Sequence, residues 1–379
     1  MHQQGDDGLL QRTGPCELTD EGLCVWSPGR FPLVVSPAAE DKDWSVERLR
    51  GWIASHHDWV AEQLAVYGAV LFRGFPVHSS GDFELLSLVL APDLEGDFFH
   101  STPRSTFNGS SVVHTASDDA PWVVIPAHCE RCWIPSPPRA ILFFAHTPNE
   151  GSGGETPLTD FRQVWRDMDP DVQAAFLAHG LKYRRQFFDE TRGLLDAVKT
   201  FSWPIPVSWQ HMFGTNALSA IESRAKELGF EIQWLDRLPG RGIMEASNRM
   251  PAIAEHPHTH HQVWHNHLNL LHVSSPAAEY AFSAQHQSSW LYLLLHYYTR
   301  CLVAVNRIMF GERYIGQTTV FGDGSQIPDQ IVDHVRGLIW DNTLIRRHQV
   351  NDVIIVDNYR LAHSRQPYSG FRRILTSWA

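Results

Sequence analysis

The chain is poor in cysteine, has fewer basic than acidic residues, and lacks a long apolar run. Five cysteines in 379 residues, at positions 16, 24, 129, 132 and 301, make an odd count with no regular spacing. That excludes a disulfide-stapled scaffold and predicts reduced thiols. Lys and Arg total 31 against 42 Asp and Glu, a net charge of −11. With no basic run to track phosphates, nucleic acid is excluded as a partner and anionic membrane is disfavoured. No apolar stretch approaches the roughly 20 residues of a membrane span. The polar start "MHQQGDDGLLQRTGP" has no charged leader followed by an apolar run. A cytoplasmic location is therefore expected. Internal repeats and low-complexity tracts are also missing.

Material for a core is plentiful. Hydrophobic residues make up 43% and charged residues 19%, with 14 Trp and 20 Phe, as in a globular protein with a large interior. Residues 1–40, rich in Gly, Pro and Asp, read as an extension packed on a domain edge and partly strand. "WSVERLRGWIASHHDWVAEQLAVYG" (44–68) has helical spacing and a glycine stop, "AVLFRGF" (69–75) reads as a buried strand, and "SSGDFELLSLVLAPD" as a helix capped by Ser80. From about 120 short strands alternate with Pro/Gly loops. "RAILFFAHT", "KYRRQFF", "HHQVWHNHLNLLH" and "DVIIVDNYRLAH" read as strands, "PNEGSGGETPL" as a loop, and 277–312 as helix. "TDFRQVWRDMDPDVQAAFLAHG" reads as two helical pieces broken at Pro170. The pattern predicts a mixed, mainly β core, a sandwich or barrel with helical cover.

Chemistry concentrates in "VIPAHCERCWIPSPPRAILFF" (124–144). On a strand, residues two apart share a face, so His128 and Glu130 would project together and Cys129 away. One imidazole and one carboxylate supply two ligands of a mixed N/O metal site, and two histidines with one carboxylate is the set of non-haem Fe(II) oxygenases. Alone, H-x-E is common. The alternative, a zinc or redox Cys129–Cys132 pair, lacks a second pair or a helix start. Those cysteines read as structural thiols.

Three segments, taken in order, resemble the Fe(II)/2-oxoglutarate-dependent dioxygenases of the taurine dioxygenase superfamily, and within it the clavaminate synthase-like subgroup. They are "YGAVLFRGFPV" (67–77), "HCERCWIPSPPRAILFFAHTPNEGSGGETPLTDFRQVW" (128–165) and "DVIIVDNYRLAHSRQPYSGFRRIL" (352–375). The resemblance implies a double-stranded β-helix (jelly-roll) with flanking helices. It covers a single domain over 41–379, with a helical insertion or lid within about 190–340. It implies Fe(II), 2-oxoglutarate and O2 as cofactors and a small molecule as substrate. His128, Glu130 and His363 match the metal ligands. Arg373, or Arg372 if the register shifts by one, matches the arginine holding the far carboxylate of 2-oxoglutarate, assisted by Thr156. Asn266 resembles a pocket-lining position and His267 a wall of the site. Where some relatives carry a further arginine, this chain has Thr376 and Ser377. A substrate acid would then fall to Arg104, Arg131, Arg241 or Arg249.

The residue types suit these roles. Two neutral histidines and one carboxylate bind a divalent ion while leaving open positions. An arginine fork matches a carboxylate, and glycines permit a tight loop beside it. Because Glu130 is present, the halogenation seen in relatives with a small residue there is not expected. The outcome expected first is hydroxylation of an amino-acid-derived substrate. Desaturation or oxidative C–C cyclisation of such a metabolite, and a catalytically silent jelly-roll binding protein, are the alternatives. The histidine-rich "EHPHTHHQVWHNHLNLLH" (255–272) could hold a second metal, yet it offers a single acid at its edge and no thiol.

Overall fold

The structure, a computed structural model, describes residues 16–19, 21–41, 43–96, 104–192, 194–200, 203, 206–235, 240 and 242–379. At its centre lies an eight-stranded sheet. Its strands run in the spatial order Glu17–Leu18, Leu23–Trp26, Leu33–Pro37, Ala69–Phe72, Val353–Asp357, Ala140–Thr147, Arg373–Trp378 and His114–Thr115. All pairings are antiparallel except that of Leu33–Pro37 with Ala69–Phe72. Successive side chains on these strands point to opposite faces, and both faces are covered, which explains apolar runs without alternation. Val70, Phe72, Leu142, Phe144, Val353 and Ile355 face helices Val46–Ser55 and Ser80–Leu90. Leu71, Ile141, Phe143, Ile354, Val356 and Ile374 face a smaller sheet, where they meet Leu158 and Leu361.

That smaller sheet orders strands Thr343–Leu344, Leu158–Asp160, Leu361–Arg365 and Ile125–His128, all antiparallel. A third sheet, of Glu231–Trp234, Met244–Met250, Leu181–Phe187 and Gln317–Phe321, packs with helices that include Phe161–Asp167, Pro170–His179 and Asp329–Asp341 into a separate core around Trp264, Phe176 and Met244. The observed architecture is thus a mixed helix/sheet protein built on antiparallel sheets.

Several local expectations change. The 44–68 helix breaks at His56 into Val46–Ser55 and His57–Tyr67. Gly68 ends the second at φ 75, where a Cβ would lie 2.8 Å from Leu361. Ser79 rather than Ser80 caps the next helix, in a reciprocal capping box with Asp82. The 277–312 helix divides into Ser275–His286 and Trp290–Phe310. Of the histidine tract only Gln262–Val263 is strand beyond Ala254–Glu255, and Leu268–Leu271 is helical. The 190–340 stretch carries helices, but also strands of the third sheet. Cys16 and Cys24 are disulfide-bonded, correcting the expectation of reduced thiols for this pair. The hairpin that pairs Leu18 with Cys24 brings their Cα atoms to 5.4 Å. Cys129, Cys132 and Cys301 are free.

Glu279, on helix Ser275–His286, is buried; among the described residues Asn269 alone donates to Oε1, at 3.0 Å, and Oε2 has no hydrogen-bond partner. Burial raises its pKa to about 7, against the opposing pull of Asn269 and Arg336. A carboxyl whose folded pKa is raised binds protons more tightly in the folded state. Stability is therefore lost as pH rises from the unfolded value through 7, by about 3 kcal/mol at most. Glu279→Gln should gain melting temperature relative to wild type between pH 5 and 8. Parallel pH profiles in a thermal shift series would remove this role.

Candidate metal centre

Register in the smaller sheet creates the site. His363 lies directly opposite His128 on neighbouring strands, and their rings approach to 4.3 Å between centroids. The His363 ring also stands edge-on to Phe143 of the large sheet at 5.2 Å, so the pair sits between the two sheets. Glu130 arrives differently from the alternation argument. The strand ends at His128, and Glu130 lies in the turn that follows, next to Arg131 in a left-handed conformation at φ 54. The turn brings Glu130 Oε2 to 3.7 Å from His363 Nε2. One donor atom from each of His128, Glu130 and His363 lies within 4.8 Å of the others, and all three residues are buried.

The donor set fits a divalent cation. His128 Nδ1 is engaged by the Pro126 carbonyl at 2.8 Å, which leaves Nε2 as the free lone pair. His363 Nδ1 is buried without a hydrogen-bond partner among the described residues. Burial lowers the pKa of His128 and pushes that of His363 well below 6.5, so both rings are neutral, as coordination requires. Burial alone would raise Glu130. The charge and hydrogen bond of Arg104, together with the neighbouring His363 and His128, outweigh it and hold the carboxyl at about 2. Arg104 Nη2 donates to Glu130 Oε2 at 2.7 Å, Nε donates to the Ala116 carbonyl, and the buried Nη1 has no hydrogen-bond partner among the described residues.

Two residues outside the ligand set fix the turn. Asn358 is fully buried, accepts from Glu130 N at 2.6 Å, and donates to the carbonyls of Glu130 and Pro138. His267 stands edge-on to His128, and its Nε2 pairs with the Cys129 carbonyl at 2.8 Å. The Cys129 and Cys132 thiols are buried in the core, and burial raises both pKa values well above 9. Neither thiol belongs to the metal-capable group of side chains found among the described residues, which leaves both as structural thiols.

A second polar cluster gathers around Thr156, in the loop two residues before Leu158, which itself lies opposite His363. Arg372 Nη2 donates to Thr156 Oγ1 at 3.0 Å and Nε to the Gly154 carbonyl at 2.8 Å. His348 Nε2 lies 2.8 Å from the same hydroxyl. Burial first, then repulsion from Arg365, lowers Arg372 to about 9, leaving it cationic at neutral pH. Gly153 permits the loop's approach, since a Cβ there would lie 1.9 Å from the Pro367 carbonyl.

Arg373 is not in this cluster. The register shifts between Arg373 and Leu375, and Leu375 faces the helical side, where Phe107 also packs. There Arg373 lies over the rings of Phe107 and Phe371. Other candidates are also placed elsewhere. Arg131 turns to Glu95 at 2.5 Å. Asn266 bridges the Ala252 carbonyl and the Leu268 amide. Arg249 is exposed beside Glu231, and Arg241 lies outside the described residues. The tract's buried histidines are spent on structure, His256 on Asp357 at 2.7 Å, His265 stacked on Tyr359 and His272 on Ser274, while His258, His260 and His261 are exposed. Sequence reading missed Asn358 and His348. The first stands in the quoted "DN" pair, and the second carries no local signal.

This geometry accompanies a family match. Residues 31–378 match the taurine catabolism dioxygenase TauD, TfdA family, and the chain belongs to that family. It is an Fe(II)/2-oxoglutarate-dependent dioxygenase, with Fe(II), 2-oxoglutarate and O2 as its cofactors. It is 28% identical over 344 residues to the dapdiamide synthesis protein DdaC of Enterobacter agglomerans, covering 90% of each chain. It is 26% identical over 353 residues to a clavaminate synthase-like protein of Arabidopsis thaliana, covering 92% of this chain and 93% of that one. Among solved structures, PvcB of Pseudomonas aeruginosa shares the fold at a TM-score of 0.50 and 12% identity, over 96% of this chain and 94% of that one. No helix among the described residues is long and apolar enough to cross a membrane.

Asn358→Ala should weaken Fe(II) binding by roughly 10- to 100-fold, the usual cost of losing a partner behind the ligands. Asn266→Ala, equally buried but bonded elsewhere, should not. Anaerobic Fe(II) titration of both variants decides, and equal losses would show a general packing effect instead.

Proposed function

We propose that His128, Glu130 and His363 hold Fe(II) and that Thr156 and Arg372 take the distal carboxylate of 2-oxoglutarate. The reaction is hydroxylation of an unactivated C–H bond in a small, amino-acid-derived molecule. The convergence of three buried donors within 4.8 Å carries this reading. Iron bound with 2-oxoglutarate and O2 supplies the oxidising power to remove hydrogen from carbon, with succinate and CO2 as the cosubstrate's products.

The chain's own groups set the conditions for that chemistry. Glu130 contributes the single negative charge of the ligand set, held ionised by Arg104. Arg372 can only donate, so Thr156 Oγ1 accepts from it. His348 Nδ1 is buried without a hydrogen-bond partner among the described residues. Because an orphaned buried N–H is rarer than an orphaned acceptor, the His348 proton belongs on Nε2, where it too donates to Thr156. Both lone pairs of the hydroxyl are then taken, and its proton is free for a carboxylate. Arg104, with Nη1 unspent beside Glu130, offers a guanidinium edge to an acid group on the substrate.

The facing antiparallel sheets favour a double-stranded β-helix within one domain over 41–379. The 190–340 segment acts as its cover, since Tyr280 bonds the Trp122 carbonyl and Ser283 bonds Gln366, beside the strand of His363. The relatives' names, one for dapdiamide synthesis and one clavaminate synthase-like, support a place in small-molecule biosynthesis.

His128→Ala and His363→Ala should each abolish turnover and Fe(II) binding. In anaerobic titration of the iron-loaded protein followed by absorbance, Arg372→Ala should weaken 2-oxoglutarate on the order of 100-fold, the scale of a lost charged hydrogen-bond pair. His348→Ala should weaken it several-fold, and Arg373→Ala hardly at all. A larger effect at 373 than at 372 would reverse the assignment, and unaltered iron affinity in the histidine variants would end it. A substrate screen for succinate release then identifies the substrate, and product mass separates gain of oxygen from loss of two hydrogens.

A further inference from the structure

Helix Trp290–Phe310 is turned the wrong way round for a monomer. Its buried residues are Tyr292, Thr299 and Asn306, seven apart. They tie it inward, Tyr292 stacking with Tyr280 at 6.3 Å and Asn306 donating to the carbonyls of Val198 and Lys199. Its outward face is apolar. Ile308 is 83% exposed, Trp290 77% and Tyr297 56%. Amphipathic helices of globular proteins show the reverse arrangement.

The outward stripe is symmetric about its own middle. Trp290, Leu294, Tyr297, Cys301, Ala304 and Ile308 are all exposed and follow the spacing 4-3-4-3-4, the seam pattern of paired helices. In an antiparallel pairing centred on the level of Thr299, Trp290 meets Ile308, Leu294 meets Ala304, and Tyr297 meets Cys301. Two of those three pairings set a large side chain against a small one, as knobs and holes require.

The helix is about 31 Å long. Its half-exposed and more fully exposed side chains, the aromatic ones of roughly 150–250 Å² each, sum to an area on the order of 1,000 Å² per copy. The largest apolar patch of a monomer is usually about 300–600 Å², and a standard interface takes about 800 Å² from each partner. The helix carries no acid. Of its two arginines, Arg307 is already paired with Glu312 of the same chain at 3.0 Å. A membrane-surface helix would carry a cationic face, and this chain is net −11.

We propose that this face is a two-fold interface between copies of the chain, formed by antiparallel pairing of helix Trp290–Phe310 with its equivalent. Sedimentation velocity of the full chain at micromolar concentration should show a dimer of the 43.1 kDa chain. Leu294→Glu/Ile308→Glu should raise the dissociation constant on the order of 100-fold or more, the scale of losing buried interface anchors. Fe(II) and 2-oxoglutarate binding should remain, which separates this outcome from misfolding. Cys301 gives an independent check in the unaltered chain, since the other thiols are buried or bonded. Near the axis, the two Cys301 Cα atoms would lie about 10–12 Å apart, so a short bis-maleimide should join wild type, and not Cys301→Ala, into a covalent dimer. A monomeric wild type, a dimer that survives the double substitution, or a dimer that the reagent fails to join would overturn the proposal. A monomer that binds zwitterionic vesicles would do so in favour of a membrane.

Discussion

The pairing of His363 with His128 across two neighbouring strands is the constraint on which the site depends. Two residues 235 positions apart are made adjacent by hydrogen-bonded register, and register in a sheet buried on both sides is strongly enforced, because a slip inverts every side chain. The ring pair is thereby fixed by the core and not by loops. Only Glu130 comes from a turn, and that turn is clamped at both its amide and its carbonyl by Asn358, from the turn that precedes the His363 strand. Each ligand is thus held by a structure that the same β-strands stabilise.

Burial sets the electrostatics of this centre in one direction. It drives both histidines neutral and would neutralise Glu130 as well, were Arg104 not within 2.7 Å. A buried pair of this kind contributes little net stability, because desolvation consumes most of the Coulomb gain. Its effect is to keep one carboxylate ionised in a dry space. The same holds around Thr156, where Arg372 retains its charge while Thr156 and His348 complete a hydroxyl-centred network.

Much of this was legible in the residues. The apolar runs at 69–72, 140–144 and 353–356 read as central strands because continuous hydrophobicity is what two covered faces demand. The ligand types were readable from H-x-E and the distant histidine. Alternation was the wrong reason for Glu130, since a strand's end is not visible in composition and the turn at Arg131 needs an unusual φ that no residue type announces. The choice between Arg372 and Arg373 depended on where one strand begins. The histidine tract did not disclose its use, since several imidazoles in a row suggest metal, whereas a buried carbonyl, a carboxylate and an aromatic ring from distant segments engage His267, His256 and His265 singly. The Cys16–Cys24 bond was hidden by the odd count.

Consecutive arginines at the start of the last strand have a consequence for tolerance to change. A single-residue shift there would still deliver a guanidinium to Gly154 and Thr156, because one arginine simply replaces the other. The penalty of such an error falls instead on Ile374, Leu375 and Trp378, whose buried surroundings would be exchanged. Insertions or deletions in the 366–371 loop would be selected against by the interior of the protein before its chemistry registered them.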